Sequence, residues 1–322
     1  MKIAFMYYHL SSFVRQDLEI LSRHFQVDAV HYRNWSDIPK IVAAIWKSDA
    51  IFSWFASGHS FLAVLCSRLF GKRSVVVAGG YDVAFVPEIN YGQYTLGRLK
   101  RIYSNYVLKN ADEILAVSQF TKSELLARAR PRRAIVVYNA IDSDKFLPEG
   151  EKEELVMTIA SGLKDVIRLK GLDTFVEAAE YHPRTKFLIL GLSDEDRKDL
   201  AGRCKSDNIE LGGYICQEDL IGNYQRSKVY CQLSYRESFG VALAEAMACE
   251  CVPVVTDRGA LREVVGDTGF YVPYGDEKAV AEAIKKALKS DNGDRARKRI
   301  VGKFSLLERE RALVKTMDFF HD

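Results

Sequence analysis

Two glutamates, Glu237 and Glu245, are separated by seven intervening residues in the stretch 234–263, SYRESFGVALAEAMACECVPVVTDRGALRE. Between them Ser238, Phe239 and Gly240 read as a tight loop. Residues 241–248 follow as a strong helix former interrupted by one charge, and residues 251–256 as a short apolar strand. A loop that opens a helix presents unpaired backbone N–H groups and the positive end of the helix dipole, which together seat a phosphate. Gly240 and Val241 lie at that opening, and Glu245 one turn further in. A carboxylate accepts hydrogen bonds from two vicinal hydroxyls, so Glu245 could hold a ribose. A single helical Glu is more often simply solvated; the flanking Ala and Met residues point instead to close packing.

A second chemical feature lies upstream. Residues 161–171, SGLKDVIRLKG, read as a loop carrying the cations Lys164, Arg168 and Lys170, with Gly162 near its start. Negative charge that grows on a leaving phosphate is stabilised by preorganised cations and N–H donors. The cationic loop and the helix opening could therefore meet across one diphosphate.

The elements that must position these residues alternate along the whole chain. Strands are expected at residues 2–7, 27–30, 50–54, 74–78, 110–118 and 135–138, with helices at 11–25, 38–46, 61–70, 97–109 and 119–128 between them. A polar, turn-rich segment at 147–154 reads as a linker. Strands resume at 155–160, 187–190, 209–214 and 229–234, with helices at 172–181 and 220–227, and the tail 304–320 reads as one helix. Such alternation implies α/β units with parallel sheets covered on both faces. Ligands collect at carboxyl ends of the strands, which singles out Gly80, Tyr81 and Asp82 after residue 78.

Several of these motifs resemble one family. Glu237-Ser-Phe-Gly…Glu245-Ala-Met-Ala resembles the E-x7-E signature of retaining, family 4-type glycosyltransferases of GT-B architecture. ADEILAVS resembles their "AD.ii.vS" strand, and Tyr-Asn-Ala-Ile-Asp…Phe146 their "NG.D...F" turn. Ile209-Glu-Leu-Gly-Gly-Tyr214 resembles the strand and turn before their "l...y..a" helix, here residues 220–227. The resemblance implies two Rossmann-like, doubly wound parallel-sheet domains facing a cleft. It places an acceptor domain at 1–146, a nucleotide-sugar domain at 147–303 and a final helix at 304–322 that returns to the first domain.

It further implies transfer of a sugar from a UDP- or GDP-sugar to a glycan or glycolipid acceptor, an EC 2.4 reaction with retention and without a bound metal or other cofactor. Lys170 matches the lysine of the family's "KG", with Arg168 or Lys164 as its basic partner. Glu237 faces the donor sugar and phosphates, Glu245 the ribose, and Ser238, Phe239, Gly240 and Val241 the donor. His9, Ser11, Gly80, Tyr81 and Asn139 fall on the acceptor side, with Asp82 at the cleft as a further catalytic candidate. Three positions depart from the pattern. His9-Leu10-Ser11-Ser12 replaces a Gly-Gly loop, Gly79-Gly80 replaces His-Gly, and Ala140 replaces a Gly. The histidine of the second motif is thus absent, with His9 or His59 as candidate replacements.

Composition bounds the alternatives. The chain has 322 residues, 48% hydrophobic and 28% charged, ordinary for a soluble globular protein of two domains. No apolar run approaches the ~20 residues of a membrane helix, and residues 1–16 hold no signal-peptide core. The expected location is cytoplasmic, with peripheral contact at the inner membrane face. Residues 1–150 carry 19 Lys and Arg against 13 Asp and Glu, the remainder 27 against 30. The basic first half and the cationic helix 97–109 suit an anionic membrane or acceptor as well as a merely solvated surface. Six cysteines form no C-x-x-C, so metal binding through Cys249 and Cys251 is disfavoured. No G-x-G-x-x-G follows the first strand, which disfavours a dinucleotide oxidoreductase, and no basic–aromatic module for nucleic acid is present. A degenerate GT-B protein that binds without transfer is the second reading.

Overall fold

The computed structural model describes residues 1–160 and 166–318. The chain divides into two compact units, Met1–Ala140 with Leu307–Asp322, and Ile141–Leu306.

The first unit is built on one parallel sheet of β1 (Lys2–Tyr7), β2 (Gln26–His31), β3 (Ala50–Trp54), β4 (Arg73–Ala78), β5 (Glu113–Ala116) and β6 (Ala134–Val136). Their order is β2-β1-β3-β4-β5-β6. The central strands are apolar at nearly every position because both faces are covered. Ile3, Phe5, Phe52, Val75 and Val77 pack beneath helices Ser12–His24 and Leu306–Asp318. Ala4, Met6, Ile51 and Val76 pack beneath Ile38–Trp46, Gly58–Leu69 and Arg98–Asn110.

The tail is not one helix over 304–320: Phe304 and Ser305 separate Asn292–Lys303 from Leu306–Asp318. The last helix is fixed to the first unit by a buried ion pair. Arg309 Nη2 lies 2.7 Å from Asp17 Oδ2, and Arg309 Nη1 also donates to the carbonyls of Val137 and Tyr138. Trp54 Nε1 donates to the same Asp17 oxygen at 3.0 Å. Removing one partner of such a pair leaves an uncompensated buried charge.

Helix Arg98–Asn110 is packed over only part of its length. Ser104, Val107 and Leu108 are buried, but Leu99 and Ile102 stand 63% and 58% exposed. Only the second half of the helix is packed, so its first turns hold their apolar side chains outward.

The second unit repeats the plan with β7 (Glu153–Ile159), β8 (Lys186–Leu190), β9 (Ile209–Leu211), β10 (Ser227–Gln232), β11 (Val252–Thr256) and β12 (Phe270–Val272). All pairs are parallel, in the order β12-β11-β10-β7-β8-β9. Counted from β7 this is 3-2-1-4-5-6, the dinucleotide-fold order, with its reversal between β7 and β10. Helices Leu172–Ala179 and Glu277–Leu288 bury Phe175, Val176, Val280 and Ile284 against one face.

Candidate functional site

In the second unit the sheet order reverses beside the end of β10, and the signature stretch begins there. Three hydrogen bonds fold it back. Tyr235 N donates to Leu169 O at 2.8 Å, Ala260 N to Glu237 O at 2.9 Å, and Thr256 Oγ1 to Ser234 O at 2.7 Å. Two glycines permit this closeness. A Cβ on Gly171 would lie 2.2 Å from Leu233 O, and one on Gly259 2.2 Å from Glu237 O; both residues are left-handed, at φ 66° and 61°. The glycine of Lys170-Gly171 therefore has a packing reason independent of any ligand.

That closeness brings the cation to the first glutamate. Residues 166–170, expected as loop, form a short helix, Val166–Lys170, that ends at left-handed Gly171. Lys170 Nζ lies 2.9 Å from Glu237 Oε2, with side chains 15% and 16% exposed. The same oxygen accepts from Gln232 Nε2 at 3.2 Å and Ser234 Oγ at 3.4 Å. Arg168 is exposed, and its carbonyl accepts from Tyr274 OH at 2.6 Å. Arg258 stacks over Tyr235 and Tyr274, at 4.2 and 5.2 Å, and braces the same helix. Gly162 and Lys164 fall outside the described residues.

Helix Val241–Ala248 starts from Gly240 at φ 93°. Phe239 is 2% exposed and meets Phe304 edge-on at 5.4 Å, so its ring is core and only its backbone is available at the helix opening. Ser238 Oγ accepts from Arg236 Nη1 at 3.0 Å. Glu245 is half-buried, and Tyr224 OH donates to its Oε2 at 3.2 Å. Burial pushes the Glu245 carboxyl up to about 7, against the Tyr224 hydrogen bond and the positive charge of Lys145.

The carboxyl edge of the first sheet is chemically different. Asp82, expected as a catalytic group, is wholly buried. Its Oδ2 accepts from Ala56 N at 2.7 Å and its Oδ1 from Gly80 N at 2.8 Å. This carboxylate ties the loops after β3 and β4 together, a positioning role. Tyr81 is partly exposed and packs edge-on against Tyr91 at 5.3 Å. His9 is exposed. His59 is buried between Trp54 O, 2.7 Å from Nε2, and Ser57 Oγ, 2.8 Å from Nδ1, and burial lowers its pKa to about 4. As a neutral ring it donates from Nε2 to the carbonyl and accepts the Ser57 hydroxyl proton at Nδ1, so both nitrogens are engaged.

Two polar atoms on this edge, Ser11 Oγ and Asn139 Oδ1, are buried without a hydrogen-bond partner among the described residues. Ala140 is not left-handed, so glycine is not needed there. Gly79 has a local reason: a Cβ would lie 2.2 Å from Phe55 Cε1, and Phe55 itself holds φ 66°. The Phe55 ring occupies the space a side chain at residue 79 would need.

Sequence reasoning missed Tyr224, Gln232 and the Arg258–Tyr274 brace. Tyr224 is the tyrosine of the "l...y..a" pattern, so its position carried a signal while its partner did not. Among the described residues no group of three or more His, Cys, Asp or Glu side chains is placed to hold a metal ion, and no helix is long and apolar enough to cross a membrane.

Comparison with known proteins agrees with this architecture. Residues 5–145 match the model Glycosyltransferase Family 4, and residues 143–302 match Glycosyl transferases group 1. The chain is 24% identical to a protein of the phosphatidylinositol N-acetylglucosaminyltransferase of Arabidopsis thaliana, over 72% of its own length and 53% of that protein. It is 29% identical to the capsular polysaccharide biosynthesis glycosyltransferase CapM of Staphylococcus aureus, over 61% of its length and 58% of that protein. It thus spans little more than half of these two relatives. Among solved structures, Anabaena HepE in complex with UDP and glucose superposes with TM-score 0.78 at 16% identity, over 99% of each chain. With both halves matched and both sheets arranged as that architecture requires, the chain belongs to the GT-B glycosyltransferases.

Proposed function

We propose that this protein is a retaining, metal-independent glycosyltransferase that moves a sugar from a UDP- or GDP-sugar to a glycan or lipid-linked acceptor. The observation that carries this reading is the 2.9 Å Lys170–Glu237 pair at the reversal point of the second sheet, beside the opening of helix Val241–Ala248. In the reaction the anomeric C–O bond to the diphosphate breaks and the nucleoside diphosphate leaves with the electron pair. The acceptor oxygen bonds the anomeric carbon and gives up its proton.

Lys170, with Lys164 and the exposed Arg168, meets the charge that develops on the β-phosphate. Backbone N–H groups at Gly240 and Val241 receive a phosphate oxygen. Glu237 orients Lys170 and faces the donor sugar, and Glu245 accepts from the ribose hydroxyls. No acid–nucleophile pair is assigned to the two glutamates, because each serves the donor. Ser11 and Asn139, with unpaired buried oxygens, are the acceptor-side groups, together with His9, Gly80 and Tyr81 around the edge that Asp82 holds in place. The names of the two relatives, one acting in phosphatidylinositol chemistry and one in capsular polysaccharide, support a lipid or glycan acceptor. The basic first unit supports peripheral contact with an anionic membrane.

A thermal-shift panel of UDP, GDP, ADP and their sugars tests the donor class, since only a bound ligand raises the melting temperature with concentration. Selective stabilisation by one nucleotide, followed by transfer whose product keeps the donor's anomeric configuration by NMR, is the expected result. An inverted product overturns retention. Binding without hydrolysis or transfer over a panel of acceptors establishes the degenerate reading instead.

A further inference from the structure

We infer that Tyr224 is a positioning residue for Glu245: its hydroxyl, donated to Oε2, keeps the carboxylate in the acceptor-only form that two ribose hydroxyls require. This rests on the donor reading of Glu245 and adds a group that sequence reasoning did not assign.

The geometry leaves Tyr224 little else to do. It is wholly buried on helix Gln217–Arg226, its ring held by Phe146 at 6.2 Å and Tyr230 at 5.9 Å. A buried phenol needs a hydrogen-bond partner, and this one points at Glu245 Oε2, 3.2 Å away. An O–H can only stabilise the ionised carboxylate by donating to it, and it uses one lone pair of one oxygen. The remaining lone pairs stay open to a vicinal diol. Without that donor, burial would favour the neutral acid, whose own proton would compete with a ribose hydroxyl for the same oxygens.

Other groups around Glu245 do not replace this role. Lys145 adds positive charge, but it is exposed and its Nζ is engaged by Gln217 Oε1 at 2.6 Å. Tyr230 is buried and gives its hydroxyl to Gln232 Oε1 at 3.3 Å. Burial holds the Cys249 and Cys251 thiols and both tyrosines well above neutral pH, so all four are uncharged there. Glu237 has its counter-ion in Lys170.

The experiment compares the affinity of UDP and GDP for the full chain, by calorimetry from roughly pH 5.5 to 9, between wild type and Tyr224→Phe at each pH. Comparison at equal pH cancels the ligand's own ionisation. Loss of a hydrogen bond to a charged group raises the Glu245 midpoint by about one unit. Tyr224→Phe is then about fivefold weaker than wild type at pH 7 and indistinguishable at pH 9. In turnover the donor KM rises and kcat is unchanged, because the ribose lies away from the reacting carbon. Fluorotyrosine incorporated at residue 224 is a better donor of the same shape, and it shifts the midpoint downward.

A merely structural Tyr224 would weaken binding equally at every pH, or lower the melting temperature with the midpoint fixed. Either result overturns the inference, and the fluorotyrosine protein decides the case if Tyr224→Phe does not fold. Glu245→Gln separates the two readings. If it leaves nucleotide affinity unchanged, the donor reading falls and this inference with it. If it abolishes affinity while Tyr224→Phe and fluorotyrosine leave the midpoint in place, only the role of Tyr224 falls.

Discussion

The two units share a plan, six parallel strands with helices on both faces, yet their carboxyl edges hold opposite chemistry. In the second unit charged groups are partially exposed and bonded to one another or to neutral side chains: Lys170 to Glu237, Glu237 to Gln232, Glu245 to Tyr224. In the first unit Asp82 and His59 are buried and spend their polar atoms largely on backbone, while Ser11 Oγ and Asn139 Oδ1 are without partners among the described residues. A ligand that brings two phosphates and a ribose always presents the same charges, so its seat can be prebuilt from fixed ions. An edge made of stapled loops and open neutral acceptors fixes a shape and leaves the choice of partner to what fills it. The difference teaches which unit should tolerate substitution without loss of donor binding.

The sharpest way to break this comparison is at Lys170. Lys170→Ala removes the cation nearest the proposed β-phosphate and leaves Glu237 without its counter-ion. A fall of about a thousandfold in kcat, on the order of 4 kcal/mol of barrier, is expected, with the nucleotide affinity falling less. A variant with kcat within tenfold of wild type would place the charge stabilisation elsewhere, with Arg168 and Lys164 the next groups to remove.

Asp82 gives the next largest effect, and it is of the other kind. Asp82→Asn keeps the shape but turns one acceptor oxygen into an N–H group facing a backbone N–H of Ala56 or Gly80. Leaving that donor unsatisfied costs about 1–3 kcal/mol of stability, read as a lower midpoint in urea. Nucleotide affinity in the folded protein should be unchanged. Full stability with lost turnover would reverse the assignment and return Asp82 to the chemistry.

The same contrast explains what could be read from residues alone. Residues 241–248 and 252–256 announce themselves because an Ala-rich run and an apolar run around Pro253 match single periods. Lys170-Gly171 and Glu237…Glu245 are short-range patterns, so the residues of the proposed donor side could be picked out before the structure paired Lys170 with Glu237. Helix Val166–Lys170 was not, because five residues give no period to detect. Tyr224 and Glu245 are 21 residues apart and meet only once β10 is laid beside its neighbours. Asp82 reads as an exposed loop carboxylate until two loops from different strands close over it. The exposure of Leu99 and Ile102 was hidden for a related reason: their spacing fits a buried face, and only the packing shows which half of the helix is covered.

That exposed half yields the smallest predicted effect. Leu96, Leu99 and Ile102 are all more than half exposed, and Arg98, Lys100 and Arg101 alternate with them. No acidic residue occurs from 89 to 111, so this patch has no internal neutraliser. Arg101 is engaged by Tyr94 O and the Phe85 ring, which leaves Arg98 and Lys100 outward. Apolar side chains beside exposed cations fit the boundary of an anionic bilayer, where each cation contributes about 1 kcal/mol and apolar area adds to it. Arg98→Gln should therefore weaken co-sedimentation with phosphatidylserine-containing vesicles by about fivefold. The loss should shrink as salt rises, and vesicles of neutral lipid should show no difference between the two proteins. Donor affinity, which the proposed reading assigns to the other unit, should not move. Equal binding of wild type and variant to anionic vesicles at low salt would remove the membrane from this surface while leaving the donor site as it stands.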